Sequence, residues 1–443
     1  MRSYNTMENK YVSMNSLLKY LDKQNPWWRG NWKDTSVTRL SYLTTILKYL
    51  TTPEIIVISG IRRSGKTTLM YQTIQHLLES GEAKPEEILF VSCDAEAVLS
   101  LEHPLDTILD VYRKEISLSD TIWIFLDEVQ EIKDFALSLK NWHDTTSWHI
   151  IISGSSSHLL ESKTGALLGG RYLFLPVFPL DFSEYLSFNG IPLPKNAIEA
   201  EGRSNEYIHH LKQYLRKGGF PALVKLSDES LRNDYLKAYY DSIVYRDIIS
   251  CREIRSQVLV KQLYSYLLSN ISTPIQYSSL AKMFSTDIMR IGEYVGYAEE
   301  GWLLHVVRHF SYSLKKQSLA PKKMYVMDLS LRLSSSFVFS ADTGRSAENA
   351  VAVELLRRRY EFWYWKKTNE IDFVVKHENN SLLLINVCFT SEIPDRETKG
   401  FAEFRAEYPD IPVKEMILTE DFDGVLDGVC CVPLWKWLTG IKC

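Results

Sequence analysis

The sequence predicts a multidomain α/β protein, and three patterns along its 443 residues support this prediction. In the first part of the chain, short β-branched strands alternate with helices, as in a parallel sheet covered by helices on both faces. After about residue 190, helical patterns replace the alternation. From about residue 340, a helix, three strands, a second helix and a further strand follow. We therefore expect a parallel-sheet domain, a helical middle region and a second α/β domain.

These changes of pattern also place the expected domain boundaries. A chain of this length suggests roughly three domains at about 150 residues each. We expect the parallel-sheet domain over residues 1–190, of which 1–50 form a helical lead-in. A helical lid or linker should span 191–255, a winged-helix domain 256–335, and the last α/β domain 340–443.

The composition limits the classes of function. Hydrophobic residues make up 45% of the chain and charged residues 24%, as in ordinary globular proteins. The net charge of −4 argues against a globally basic nucleic-acid-binding protein but allows a local basic face. No apolar run reaches the roughly 18 residues of a membrane span, and the N-terminus lacks the apolar core of a signal peptide. The six scattered cysteines form no CxxC pair, so we expect free thiols, no zinc site and a cytoplasmic location.

The most specific pattern lies between residues 55 and 80. Ile55–Ser59 is a short apolar run typical of a buried parallel strand, and a GxxxxGK[ST] loop and an amphipathic helix follow it. Such a loop directs backbone N–H groups at phosphates, and the helix N-terminus adds positive potential. We expect Lys66 to reach the β- and γ-phosphates of ATP and Thr67 to bind Mg²⁺. The predicted nucleotide-binding residues of the loop are Gly60, Arg62, Arg63, Ser64, Gly65, Lys66, Thr67 and Thr68.

A second buried strand supplies the acids of the same predicted site. The segment Ile122–Leu126 ends in Asp127 and Glu128, some 60 residues after the lysine of the loop. We expect Asp127 to hold Mg²⁺ through its hydration shell and Glu128 to activate the attacking water as a general base. The alternative is a core strand that simply ends in solvated acids. A water-activating glutamate favours hydrolysis of ATP over phosphoryl transfer to a small molecule.

Three further residues are weaker predictions for this site. Ser153 ends the next strand, where a hydroxyl can contact the γ-phosphate or the attacking water, or can instead cap a serine-rich turn. Arg171 follows two glycines and is a candidate arginine finger, supplied in cis or by a neighbouring subunit, which would require an oligomer. A structural ion pair is the alternative for Arg171. Arg246 is a second candidate finger with less support.

At this point the sequence resembles a known family. The segments that carry the resemblance are "QNPWW", "GIRRSGKTTL", "FLDEVQ", "IIISGSSSHLL", "LGGRYLFLPVFPLDFSEYL", "GGFPALV", "YRDII", "KKMYVMDLSLR" and "ENAVAVELLRR" with "YWKKTNEIDFVV". It is similar to the prokaryotic AAA-type ATPases fused to a C-terminal conserved domain of unknown function, relatives of the archaeal ATPases in the STAND branch. The resemblance implies an ATPase domain, a helical and winged-helix region, and a domain similar to the PD-(D/E)xK nucleases. It also implies that Gly218–Pro221 lies near the bound nucleotide.

The middle region carries a local basic segment. Between Glu300 and Asp328 there is no acid, and a winged helix would place this segment on its hairpin. Lysines and arginines there would bind DNA phosphates in a salt-dependent way. The alternatives are a solvated basic loop, or a basic face that docks on acids of the protein itself. The predicted DNA-contacting residues are Arg308, Lys315, Lys316, Lys322 and Lys323.

The last domain has the element order of restriction-endonuclease-like proteins but lacks part of their charge pattern. Such a nuclease needs an acid on one strand and an acid-x-lysine on the next, to hold Mg²⁺ and to stabilise phosphate charge. Asp372 and the helix residue Glu348 match acidic positions. Period-two alternation puts Asn386 and Cys388 where the acid and the lysine should be. We therefore expect a nuclease scaffold without nuclease activity.

These patterns bear on four possible functions. The leading one is an ATP-hydrolysing molecular switch of the STAND/AAA type, and the second, compatible with it, is a DNA-associated ATPase. A DNA-dependent ATPase with residual ATP-dependent nuclease activity is the alternative, against which Asn386 and Cys388 speak. Asp127 and Glu128 speak against a small-molecule kinase.

Overall fold

We describe the fold from a computed structural model of the chain. The structure describes residues 15–30, 32–155, 164–252, 254–334, 342–377, 381–390 and 392–441. Within it the chain divides into two compact units, Met1–Val177 and Phe178–Cys443. Four domains were expected, so the boundaries at 190, 255 and 335–340 stay predictions.

The first unit contains a five-stranded parallel sheet with helices between its strands. The spatial order of the strands is β2-β3-β4-β1-β5, and every pairing is parallel. The strands are β1 Ile55–Ser59, β2 Ile88–Ser92, β3 Trp123–Asp127, β4 His149–Gly154 and β5 Tyr172–Pro176. The helices span 15–24, Leu40–Tyr49, Lys66–Ser80, Glu96–Leu99, Pro104–Glu115, Phe135–Thr145 and Thr164–Leu168. The predicted parallel-sheet class is confirmed.

The sheet of the first unit is buried on both faces, which explains the apolar strand sequences. All five residues of β1 and all five of β3 are buried. Hydrophobic side chains form one core cluster on each side of the sheet, as the helix coverage requires. Because parallel strands all end at the same edge, residues that directly follow β1, β3 and β4 are brought together there.

The second unit begins with helices, as the sequence predicts. Short 3₁₀ segments lie elsewhere, and a π-helical stretch over Ile243–Ile249 continues one of the helices. The helices are Phe182–Phe188, Ala197–Gly202, Ser204–Lys217, Pro221–Val224, Glu229–Ser242, Gln257–Ser269, Tyr277–Met283 and Ile288–Glu300. An antiparallel hairpin of β6 Leu304–Val307 and β7 Lys323–Val326 follows, and the helix Leu314–Leu319 lies in its loop. Three helices thus precede a two-stranded hairpin, and the winged-helix domain stays a prediction.

The chain then forms a six-stranded mixed sheet. The order is β12-β13-β11-β10-β9-β8, with β9 antiparallel to β8 and β10, and β11 parallel to β10 and β13. The strands are β8 Phe362–Lys366, β9 Glu370–Lys376, β10 Leu382–Cys388, β11 Val413–Thr419, β12 Gly424–Leu426 and β13 Val429–Pro433. The helices are Thr343–Arg357, Arg396–Glu407 and Leu434–Thr439. The predicted order of helix, three strands, helix and strand is confirmed.

Among the residues that the structure describes, no helix combines the length and the apolar character needed to cross a bilayer.

Candidate functional site

The phosphate-binding loop joins β1 to the helix Lys66–Ser80 and adopts a tight turn. Gly60 follows β1, and a side chain at this position would collide with the backbone carbonyl of Val177. Gly65 precedes the helix at a φ of 98°, in the left-handed region that favours glycine. Both glycines of the motif are therefore required by the backbone, and they keep the loop open to a ligand.

Buried polar groups line the inner side of the loop. The Nζ of Lys66, a buried residue, donates hydrogen bonds to the carbonyls of Gly60 at 2.9 Å and Ile61 at 3.3 Å. Arg39, buried and not foreseen from the sequence, donates through Nη1 to the carbonyl of Ser64 at 2.8 Å. The Ser64 hydroxyl is buried and has no hydrogen-bond partner in the described part of the chain. A ligand on the loop could satisfy that hydroxyl.

Asp127 lies where β3, β4 and the loop meet. Its Oδ2 accepts a hydrogen bond from the Thr67 hydroxyl at 2.7 Å, and its Oδ1 accepts one from the Ser153 hydroxyl. Burial raises the pKa of Asp127, while the two hydroxyl hydrogen bonds act in the opposite direction. Thus three residues predicted for the site from separate segments are in direct contact.

Glu128 turns away from the strand direction, because its backbone is left-handed with a φ of 52°. Its N–H donates to the Ser153 hydroxyl at 3.2 Å, and its Oε1 lies 4.0 Å from Nη1 of Arg62. Gln130, which the sequence analysis did not single out, donates through Nε2 to the other oxygen of Glu128. The carboxylate of Glu128 is therefore held at the loop.

The two loop arginines differ in exposure. Arg62 is half-buried and its Nη2 lies 3.4 Å from the Ser155 hydroxyl, whereas Arg63 is exposed at a φ of 71°. Thr68 is half-buried in the first turn of the helix after the loop. Their predicted contacts with nucleotide stay predictions.

The donor set suits a nucleotide with Mg²⁺. The Thr67 hydroxyl and the Asp127 carboxylate are the oxygen ligands that a hard cation prefers, and they lie 2.7 Å apart at the loop. The buried Ser64 hydroxyl has no hydrogen-bond partner among the described residues, so it can donate a hydrogen bond to a phosphate oxygen.

The cis role expected of Arg171 is wrong. Arg171 directly precedes β5, and Tyr172 pairs with Ile55 at the start of β1, so Arg171 lies at the opposite edge of the sheet from the loop. The strands separate the two edges by about 16 Å. Arg171 instead donates from Nε to Oδ1 of Asp144 at 2.6 Å. Its action on a neighbouring subunit stays a prediction, as does any role of Arg246, which is exposed on the π-helical stretch.

The basic segment of the second unit is only partly on the surface. Arg308, Lys315 and Lys316 are exposed, and Lys322 is half-buried. Lys323 is fully buried, so its predicted contact with DNA is wrong. The alternative expected from the sequence, a basic face docked on the protein's own acids, holds for this residue.

Lys323 lies among three carboxylates of the last sheet and its helix. Its Nζ is 2.7 Å from Glu348, 2.5 Å from Glu370 and 3.1 Å from Asp372. The Tyr325 hydroxyl donates to Glu348 at 2.7 Å. Burial and the neighbouring Asp372 raise the pKa of Glu348 to about 8. The ammonium of Lys323 thus offsets part of the negative charge of these three acids, which we call the acid cluster.

Asn386 and Cys388 have structural contacts. The Oδ1 of Asn386 accepts from the N–H of Asp372 at 3.0 Å, and its Nδ2 donates to the carbonyl of Glu397 at 2.8 Å. Cys388 is buried, with its Sγ 3.2 Å from the Thr390 hydroxyl. In the described residues, no group of three or more His, Cys, Asp or Glu has an arrangement that could hold a metal ion.

The glycine-proline element packs inside the second unit. The N–H of Gly219 donates to Oδ2 of the buried Asp328 at 2.7 Å, and a side chain on Gly218, at a φ of 72°, would collide with the same carboxylate. Burial raises the pKa of Asp328, which its hydrogen bonds with Ser330 and Gly219 counteract. The implied proximity of this element to nucleotide stays a prediction.

Three segments of the chain match models of known families. Residues 52–186 match a family model described as an AAA domain. Residues 208–341 and 343–437 match two models described as domains of unknown function, DUF8612 and DUF4143.

Similar proteins span most of the chain. An uncharacterized protein of Methanocaldococcus jannaschii is 29% identical over 399 residues, which cover 86% of this chain and 87% of the relative. An uncharacterized protein of Haemophilus influenzae is 26% identical over 412 residues, 91% of this chain and 98% of the relative. Among solved structures, the Walker-type ATPase of Pyrococcus abyssi is 13% identical, with a TM-score of 0.43 over 67% of this chain and 95% of that one. Over residues 52–186 the chain is thus similar to AAA-type P-loop ATPases, and over residues 208–341 and 343–437 it is similar to two families of unknown function.

Proposed function

We propose that the chain hydrolyses ATP and uses this reaction as a conformational switch. The observation that carries the proposal is the contact of Asp127 with both Thr67 and Ser153, beside a glycine loop that leaves a buried hydroxyl available. These groups come from the ends of neighbouring strands, where α/β sheets bind ligands. An isolated acid at a strand end would not gather them.

In this proposal each residue has a separate task. Backbone N–H groups of the loop and Lys66 bind the phosphates, and Lys66 leaves its carbonyl partners to do so. Thr67 and Asp127 hold Mg²⁺, which supplies charge neutralisation when it is bound. Glu128 accepts the proton of the attacking water, and Ser153 fixes Asp127 and the backbone of Glu128.

The direct test is ATP turnover by the full chain, with Lys66→Ala as the inactive comparison. We expect Mg²⁺-dependent release of phosphate by the wild type and no binding of ATP by the variant. Equal turnover by both proteins would disprove the assignment. The same assay with added DNA measures whether the switch responds to nucleic acid.

We also propose that DNA associates with the exposed part of the basic segment. Lys315 and Lys316 are exposed on the helix Leu314–Leu319, and Arg308 and Lys322 flank the hairpin loop. Exposed cations without acids between them attract phosphate in a salt-dependent way. Filter binding at several salt concentrations tests this proposal. The double variant Lys315→Ala, Lys316→Ala should show a smaller salt slope by about 1–2; an unchanged slope would contradict it.

The last domain is proposed to have no nuclease activity. The position expected for an acidic ligand holds Asn386, whose amide bonds the backbone, and Lys323 forms ion pairs with the remaining acids. We expect no DNA cleavage with Mg²⁺ or Mn²⁺. Cleavage that disappears in Asp372→Ala would overturn this part of the proposal.

A further inference from the structure

The second unit holds a cavity that none of the proposed reactions uses. It has a volume of about 470 Å³ and is partly open to solvent. Ligand pockets occupy roughly 300–1,000 Å³, so one small organic ligand fits. Its floor is the helix Ile288–Glu300, through Gly292 and Gly296, and its walls include Tyr277 and Trp363.

The rim of the cavity carries two cations, Arg308 and Lys322, against one acid, Glu299, whose pKa is lowered by His305 and by the charge of Arg308. Arg308 lines it and forms no side-chain ion pair with another described residue. Lys322 donates only to backbone carbonyls, those of Ser318 at 2.9 Å and Ala320 at 3.2 Å, and burial and the charge of Arg308 lower its pKa.

The one acid among the described lining residues is already used inside the protein. Glu299 lies 2.8 Å from Nδ1 of His305 and accepts the N–H of Val306 at 2.9 Å. Because Glu299 already has these partners, an anion that binds between Arg308 and Lys322 would stabilise both positive charges.

The walls offer flat apolar surface next to these cations. The Nζ of Lys322 lies 4.8 Å from the centroid of the Tyr277 ring, so ring and charge are adjacent. The half-buried Trp363 provides a second ring at the same cavity. Aromatic rings beside a cationic groove are what single nucleotides and single strands use for binding.

The floor is flatter than packing inside the chain requires. Neither Gly292 nor Gly296 has a positive φ; a methyl group on Gly292 would contact the Tyr277 ring at 3.7 Å, whereas one on Gly296 would have no atom within 4 Å. Glycine in a helix interior is less favourable than alanine, so these two positions lower helix stability. What they leave free is the floor of the cavity.

We infer that this cavity binds one nucleotide, with its base against Tyr277 and Trp363 and its phosphate between Arg308 and Lys322. The nucleotide is either free or part of a single strand, since a base of a duplex would first have to be unstacked and unpaired at a cost of a few kcal/mol. If the nucleotide belongs to a DNA single strand, the inference rests on the proposed association with DNA. If the nucleotide is free, it does not. It assigns Arg308 and Lys322 to a cavity and leaves Lys315 and Lys316 to contact a backbone outside it.

The test uses the full chain carrying Lys66→Ala, so that the ATP site is silent. Calorimetric titrations with AMP, UMP, an eight-nucleotide thymidine strand and a twenty-base-pair duplex compare the sources. We expect the strand or the mononucleotides to bind. Gly296→Leu, which fills the floor without changing charge, and Arg308→Ala should each weaken binding at least tenfold. Lys282→Ala, an exposed lysine outside the cavity, is the control and should leave it unchanged.

The possible outcomes distinguish failure of the nucleotide cavity from failure of the proposed association with DNA. Binding of mononucleotides identifies a free nucleotide, and binding of the strand alone identifies a polymer; both support the inference if Gly296→Leu abolishes them at unchanged melting temperature. Duplex binding that is weakened by loss of Lys315 and Lys316, but not by Gly296→Leu, overturns the inference and leaves the DNA association intact. Binding of none of the four ligands overturns both.

Discussion

The two units each bury a carboxylate group among polar partners, but the partners differ in kind. In the first unit, Asp127 accepts hydrogen bonds from the neutral hydroxyls of Thr67 and Ser153. In the second, an internal ammonium, that of Lys323, lies among the three acids of the acid cluster. A carboxylate bonded by hydroxyls keeps its charge for a cation that arrives with a ligand. The carboxylates of the acid cluster already share an internal cation that forms ion pairs with them, so the two sites differ in chemistry although both contain acids.

The largest expected effect concerns the first site. Glu128→Gln keeps the hydrogen-bonding shape of the side chain but cannot accept a proton, so ATP turnover should fall by about 10²–10⁴. Binding of ATP, measured by calorimetry, should persist. Asp372→Asn, in the acid cluster, is the matched control and should turn over ATP like the wild type. Turnover that survives in Glu128→Gln would remove the difference between the two sites.

The next effect concerns the internal cation. Lys323→Met leaves three half-buried acids without their buried partner, and the free energy of unfolding should fall by about 3–5 kcal/mol. Urea unfolding measures it. Lys316→Met, at an exposed lysine, should change stability by at most about 0.5 kcal/mol. Mn²⁺ should raise the melting temperature of Lys323→Met and not that of the wild type. Equal stability of the two variants would show that the cluster needs no cation.

The acid cluster should also make stability depend on pH. The pKa of Glu348 is about 8 in the folded chain against an ordinary 4.5, so the folded state holds a proton that the unfolded state releases. Stability therefore falls as pH rises from about 5 through 8, because the unfolded state binds fewer protons over that interval. Melting temperatures between pH 5 and 9 measure this dependence. In Glu348→Gln the slope over this range should become shallower; an identical slope would mean that another group titrates.

The smallest effect concerns Arg171. Its ion pair with Asp144 is about one-third exposed, and such pairs contribute about 0–1 kcal/mol. Arg171→Ala should therefore barely change stability, and at low protein concentration it should not change ATP turnover. If turnover of the wild type rises with protein concentration and that of Arg171→Ala does not, the arginine acts on a neighbouring subunit.

The sequence predicted the first site well because its information is local. A glycine loop, a lysine and a hydroxyl follow one another within nine residues, and the acids directly end an apolar strand. The carboxyl ends of parallel strands lie at the same edge of the sheet, so the site can be predicted before the strand order is known. The position of Arg171 depends on which strand pairs with β5 and in which register. The local sequence predicts neither, so it could not exclude a cis arginine finger.

The acid cluster could not be predicted in the same way. Lys323 precedes Glu348 by 25 residues and Asp372 by 49, and it lies on a different sheet. Its surroundings, "PKKMYV", look like a solvated basic loop. Of the two lysines in this segment, Lys322 is half-buried and Lys323 is buried. Asn386 and Cys388 led to the expectation of an incomplete nuclease pattern, which stays a prediction, and the sequence did not indicate that Lys323 would lie among the acids.

The hydrogen bond between Gly219 and Asp328 has a consequence for the order of folding. It joins positions 109 residues apart, so closing this loop costs about 4 kcal/mol in chain entropy, apart from a constant. Arg232, buried in the same unit, is stabilised by the charge of Asp328. A ribosome that adds about 5–20 residues per second needs roughly 5–20 s to travel from Gly219 to Asp328. During that time Arg232 lacks the contribution of Asp328 to its counter-charge, so this part of the second unit is completed only after the hairpin has been made.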